Sequence, residues 1–259
     1  MLRSMYSGIS GMKNFQTKLD VIGNNIANVN TYGFKKGRAV FSDMMSQTIQ
    51  GAKANDGTRG GVNPKQVGLG STLSTIDTIS TQGSIQSTNR PLDLAISGSG
   101  YFTVSDGTTD FYTRAGNFYL DETGKLVNGS GLNVVPDITI PSDAQSFSID
   151  SAGVVSYVDN AGNLQTAGTL EISIFANPDG LEKFGDNLFI KTLNSGTPTA
   201  VTAGNGGSGK LMAGALEMSN VDLSEEFTEM IVAQRGFQAN TRIITTSDEI
   251  LQELVNLKR

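Results

Sequence analysis

The stretch Gly204–Leu211, GNGGSGKL, has the spacing G-x-x-x-x-G-K. In a nucleotide-binding loop that spacing aims backbone N–H groups and a lysine at phosphates, but the chemistry also needs a Ser or Thr after the lysine and a buried strand before the loop. Here Leu211 follows Lys210, and the polar run SGTPTAVTA precedes, so the stretch reads as a flexible glycine connector. Asn128-Gly129-Ser130 satisfies the glycosylation sequon, yet its Asn-Gly pair reads as a hairpin turn. The acid pair Asp121/Glu122 sits beside the turn at Thr123-Gly124 and should be solvated. A two-carboxylate hydrolase would need such acids in a shaped cleft, and no aromatic-lined acidic cluster stands out in a chain without Trp. There is no His and no Cys, which removes the commonest general base and all thiolate, disulfide and zinc-thiolate chemistry. The expectation is no catalytic residue, no cofactor site and no metal site.

With no site to position, the elements themselves carry the information. The chain has 259 residues, 37% of them hydrophobic, 31 of them Gly, and a net charge of −6. The charge argues against nucleic acid as a general partner, and no apolar run reaches the roughly 18 residues of a membrane span. The opening MLRSMYSGIS lacks the continuous apolar stretch of a secretory signal.

Both ends are helical in pattern. Met5, Met12, Leu19 and Ile26 recur every seven residues, with Phe15, Ile22 and Val29 three residues after the last three. That spacing makes an apolar seam along one helix face. Gly8, Gly11 and Gly23 lie within it, each costing about 1 kcal/mol relative to Ala, so this helix must be held by close packing against partners. At the other end Leu223, Met230, Phe237, Ile244 and Leu251 repeat the seven-residue spacing, and Ile243, Ile250 and Leu257 form a second row. Asp222 or Ser224 can cap the start, Glu225 and Glu226 suit the first turn, and Lys258 and Arg259 suit the end. The length, about 35 residues, points to a coiled coil. Residues 1–38 hold six bases and one acid, residues 222–259 seven acids and four bases, so the two helices are plausible partners within or between chains.

Between them the period becomes alternating. PLDLAIS sets Leu92, Leu94 and Ile96 on one face, and YFTVSDGTTDFYTR reads as two strands around Asp106-Gly107. Turn signals continue at Thr123-Gly124 and Asn128-Gly129, followed by DITIP, SFSID, VVSYV and TLEISIF as further strands. The fold class is α+β: terminal helices 1–34 with 222–259 pairing as a coiled coil, extended connectors 35–74 with 191–221, and an outer all-β domain at 75–190.

The run NNIANVNTYGFKKGR, residues 24–38, ends the first helix. Asn25, Asn28, Thr31 and Gly33 supply turn chemistry, Phe34 can anchor the turn, and Lys35, Lys36 and Arg38 stay solvated or meet acids. At this point the sequence resembles the axial proteins of the bacterial flagellum: rod, hook and hook-associated subunits. The residues that carry the resemblance are LDVIGNNIANVNTYGFKKGR, the C-terminal LEMSNVDLSEEFTEMIVAQRGFQANTRIITTSDEILQELVNLKR, and the central TQGSIQSTNRPLDLAISGSGYF and FYTRAGNFYLDETGKLV. Nearly the whole chain is covered.

The resemblance implies a structural, non-catalytic subunit located in the flagellum outside the cytoplasmic membrane. It implies export without a cleaved signal peptide, and helices that pair around a central channel. It implies self-assembly into a helical homopolymer, with adjacent rod and hook–filament junction proteins, the hook cap and the export apparatus as partners, and neither nucleic acid nor small-molecule substrate. Met5, Met12, Leu19, Ile22, Ile26, Leu223, Met230, Phe237, Ile244 and Leu251 are the expected assembly interface. AVFSDMMSQTIQG and KQVGLGSTLSTI resemble the hook members, so the expected role is a hook subunit, with a distal-rod subunit as the alternative and a secreted oligomeric adhesin a more remote one.

Overall fold

A computed structural model describes residues 2–54 and 60–257. Along the chain, one long helix precedes and another follows a β-rich middle. The chain divides into two compact units, each assembled from pieces far apart in sequence. One holds the residues up to Ile26, Gly37–Asp77 and the residues from Asp222; the other holds Ala27–Lys36 and Thr78–Val221.

The helical unit is built on α1, Leu2–Ala27, and α2, Leu223–Asn256. The α2 start is capped by the Asp222 carboxylate, which accepts from the N–H groups of Ser224 at 2.8 Å and Glu225 at 3.4 Å. Lys258 and Arg259, expected at the other end, lie outside the described residues. Residue numbers rise along α1 as their neighbours' numbers fall along α2, so the two helices run antiparallel. Ile244 lies beside Gly8, Asn240 beside Gly11, Gly236 beside Phe15 and Glu229 beside Lys18. The glycines explain the closeness. A methyl at Gly11 would stand 2.8 Å from the Asn240 amide, and one at Gly236 would stand 2.5 Å from the Phe15 ring. Helix propensity is given up here for contact.

Residues 35–74, expected as an extended connector, contain strands. Gly37–Asp43 pairs with Ser71–Thr78, and Gln47–Gln50 pairs with Lys65–Val67 in a small antiparallel ribbon. Residues 191–221, expected as the matching connector, also form strands, and these join the β unit. Thr199–Thr202 pairs with Glu171–Ile174, Lys210–Ala213 with Leu94–Ser97, and Ala215–Glu217 with Ile85–Ser87. The glycine-rich stretch 204–209 is the turn that makes this possible: the Gly204 N–H donates to the Gly209 carbonyl at 3.0 Å, and Lys210 opens a strand.

The β unit centres on the hairpin Tyr101–Ser105 and Asp110–Thr113, with Val104 opposite Phe111. Side chains alternate across it as a strand requires. Phe102, Val104 and Phe111 enter the main core with Leu94, Ile96, Phe118, Leu170 and Ile172. Tyr101 and Tyr112 enter a second, aromatic cluster with Phe175, Leu181 and Phe189, where the rings meet edge to face. Both faces of this hairpin are therefore buried. The expected strand DITIP is not one; it makes an isolated bridge, Lys125 with Thr139, and gives Ile138 and Ile140 to the main core.

One turn design recurs four times: Asp121–Gly124, Asn128–Gly131, Asp150–Gly153 and Asp159–Gly162. Each time the glycine N–H donates to the carbonyl three residues back, and each glycine has a φ between 78° and 86°. Such a turn needs a glycine at the left-handed position. At the Asn128 turn that position is Gly131, not the Gly129 that the Asn-Gly pair suggested.

Candidate functional site

The turn after α1 is where the chain's unusual chemistry sits. Within the helical unit, Asn25 is buried and bonds both ways with Gly37: its amide donates to the Gly37 carbonyl, and its oxygen accepts the Gly37 N–H, both at 2.9 Å. The same amide reaches the buried Glu226 carboxylate at 3.2 Å. Asn25 thus ties the first turn of α2 to the start of a strand.

Within the β unit, the Asn28 side chain accepts from the Thr31 hydroxyl at 3.1 Å, and the Phe34 N–H closes on the Thr31 carbonyl at 3.3 Å. Gly33 has φ 68°, and a methyl there would stand 2.6 Å from the Ala115 nitrogen. Only glycine can make that turn against that backbone. The Gly33 N–H then donates to the Glu217 carbonyl at 2.8 Å.

Lys35 does not stay solvated, as it could have from sequence. It is fully buried, and its ammonium donates to the Glu217 carboxylate at 2.6 Å and to the Thr81 carbonyl at 2.8 Å. Glu217 also accepts from Arg114 at 3.2 Å and from the Gly83 N–H at 3.0 Å. Arg114 reaches the Gly98 carbonyl at 2.7 Å and lies 5.4 Å from the Tyr101 ring, while its Nε has no hydrogen-bond partner. The group is two cations and one anion inside a protein. Burial lowers the Lys35 pKa below its usual value, opposed by the Glu217 charge. Sequence reasoning missed Glu217 and Arg114. The available signals were an acid inside the apolar strand Ala215–Glu217 and an arginine directly after the buried strand Asp110–Thr113.

Further hydrogen bonds to the backbone hold residues 32–36 in place. The Lys36 N–H donates to Asn220 at 2.8 Å, the Ile79 N–H to the Lys36 carbonyl at 2.9 Å, and Asn187 to the Tyr32 carbonyl at 3.2 Å.

The expected assembly rows are only partly covered by their own chain. Ile22 is buried. Met5, Met12, Leu19, Ile26, Met230, Phe237, Ile244 and Leu251 are half-buried, and Leu223 is exposed. Besides the glycine contacts, α1 and α2 are joined by Met12, whose sulfur accepts from the Thr241 hydroxyl at 3.4 Å, and by the Lys18–Glu229 pair at 2.7 Å. The second row of α2 (Ile243, Ile250 and Leu257) is exposed, as are Phe227, Ile231, Val232, Leu254 and Val255. Among the described residues no cluster of acidic side chains could hold a metal ion, and no helix is long and apolar enough to cross a membrane.

Comparison with known proteins places these features. Residues 5–35 match the family described as flagella basal body rod protein, 95–157 the flagellar hook protein FlgE/F/G D1 domain, and 212–257 the flagellar basal body rod FlgEFG protein C-terminal. The chain is 65% identical to the flagellar basal-body rod protein FlgG of Bacillus subtilis over the full length of both. It is 40% identical to that of Caulobacter vibrioides, over 99% of this chain and all of the relative. Against the flagellar hook protein FlgE of Borreliella burgdorferi the identity is 31% over 441 aligned positions, again covering both chains fully.

Proposed function

The chain belongs to the family of flagellar rod and hook proteins, and from that premise we propose that it is a rod subunit of the basal body, of the distal-rod kind, rather than the hook subunit expected from residues 39–51 and 65–76. One observation carries this reading: the 65% identity to a rod protein runs end to end over 264 aligned positions. The hook comparison needs 441 positions to align 259 residues, so that hook protein carries long insertions this chain lacks.

The mechanism is assembly without catalysis. Identical subunits joined by non-closing, head-to-tail contacts build an open helical tube. The antiparallel pair α1–α2 supplies an apolar surface that its own chain leaves half open, which suits coiled-coil packing against other copies. A drive shaft needs contacts that stay locked under torque. The tight Gly33 turn and the buried Lys35–Glu217–Arg114 group suit that need, since they fix residues 27–36 to the β unit. On this reading the chain works in the flagellum, next to other rod proteins, as the names of its relatives suggest.

Electron microscopy of cells lacking the gene tests this. A rod subunit predicts loss of both the distal rod and the hook. An intact rod with only the hook missing would return the assignment to the hook.

A further inference from the structure

A cavity of about 160 Å³ opens in the β unit between the turn at residues 28–35 and the hairpin at residues 183–189. Its apolar lining is Phe34, Leu188 and Phe189. Lys183 lines it too. The lysine's ammonium lies 5.2 Å from the centre of the Phe34 ring and donates to the Lys35 carbonyl at 3.3 Å.

Three other cations of the β unit have carboxylates. Lys35 and Arg114 share Glu217, and Arg90 pairs with Asp93 at 2.9 Å. Lys183 has none among the described residues. Asp186 lines the same cavity, but no ion pair joins it to Lys183. The surrounding protein lowers the Lys183 pKa by desolvation, with no opposing charge to raise it. Lys183 is an exposed residue, so the cavity offers a solvent-reached ammonium without a carboxylate at its rim, next to a ring and two apolar side chains. Its volume suits a single apolar side chain.

We propose that this cavity is a docking site for a second copy of the chain, which inserts an apolar side chain against Phe34, Leu188 and Phe189 and places a neighbouring carboxylate on Lys183. The inference rests on the rod reading, in which copies contact one another repeatedly. Charge complementarity selects the occupant. The chain carries 25 acids against 19 bases, and it exposes acids beside apolar residues. Asp43 precedes Met44 and the 87% exposed Met45, and Glu253 precedes the exposed Leu254 and Val255. Desolvating an ion pair beside an aromatic ring makes such a contact selective, because the wrong partner leaves the ammonium unpaired.

The test uses the full-length chain in its own bacterium, with p-benzoylphenylalanine in place of Phe34. Illumination of assembled basal bodies should yield a dimer of this chain, and the captured peptide should contain an Asp or Glu next to an apolar residue. Capture of a different protein, or of a segment without an acid, overturns the proposal. In parallel, Lys183→Glu should cut the number of assembled rods at least tenfold, while Lys183→Arg restores them. Both purified variants should melt with the wild-type chain. Rods assembled normally by Lys183→Glu would overturn the proposal and leave the rod reading standing. If deletion of the gene leaves the rod intact, the rod reading fails first and the docking site with it.

Discussion

At the scale of single residues, the buried group of Lys35, Arg114 and Glu217 is unbalanced by one positive charge, and this makes its variants rankable. Glu217→Gln leaves two cations buried without an anion and should cost the most, about 3–5 kcal/mol. Lys35→Met keeps the Arg114–Glu217 pair and should cost clearly less. Urea unfolding of the purified chain reads both, and the reverse order would show that the lysine, not the carboxylate, holds the group together. The pH dependence follows from the direction of the Lys35 shift. Its native pKa lies below the ordinary 10.5, so between the two values the native state binds fewer protons than the unfolded chain. Stability from this group then rises with pH through that window and is absent below it. Lys183 acts in the same direction. Burial raises Tyr101 and Tyr112 above the ordinary 10.0, so their contribution is lost as pH climbs past 10.0. The difference in unfolding free energy between wild type and Lys35→Met should therefore grow as pH approaches 10.5; a flat difference would mean that Lys35 titrates as a free lysine.

At the scale of elements, the helix glycines separate into two kinds. A methyl at Gly23 meets nothing within 4 Å, whereas one at Gly236 meets the Phe15 ring. Gly23→Ala should stabilise α1 by about 0.5–1 kcal/mol through helix propensity alone. Gly236→Ala has the same intrinsic gain but must tilt Phe15 off α2, and should show no gain or a loss. Thermal melts followed by helix circular dichroism measure the contrast. Equal stabilisation by both would mean that the two helices are not held in contact in solution. The seven-residue apolar rows were legible in the sequence because helical periodicity is local. That the glycines of α1 need close packing was legible as well, but the groups they meet, Ile244 and Asn240, were not, since these lie more than 200 residues away. The strands of residues 35–74 and 191–221 were also hidden. Their Ser, Thr, Gly and Asn content reads as connector, and their pairing partners are distant in sequence.

At the scale of the whole molecule, exposed apolar residues on α2 mark surface that this chain does not cover. Ile231 is 58% exposed. Ile231→Glu should therefore leave the melting of the purified chain unchanged, because water already reaches the position. If a neighbouring copy covers it in the polymer, the substitution buries an unpaired carboxylate at every subunit, at several kcal/mol each. Assembly and motility should then fail. A lowered melting temperature would place Ile231 in the chain's own packing, and normal motility would remove α2's open face from the interface.

The sequence by itself determined the α+β class, the two terminal helices, the absence of the side chains most enzymes use, and the flagellar family. Each of these is written in short-range periodicity, composition or contiguous motif. Tertiary structure alone decided that Lys35 is buried rather than solvated. The burial depends on Glu217 and Arg114, which lie 182 and 79 positions further along and meet it only when the strands close. The same is true of Gly33, whose tight fit is set by the backbone of Ala115. A turn motif announces that the chain must bend; what it bends against is fixed by residues that no local pattern connects to it.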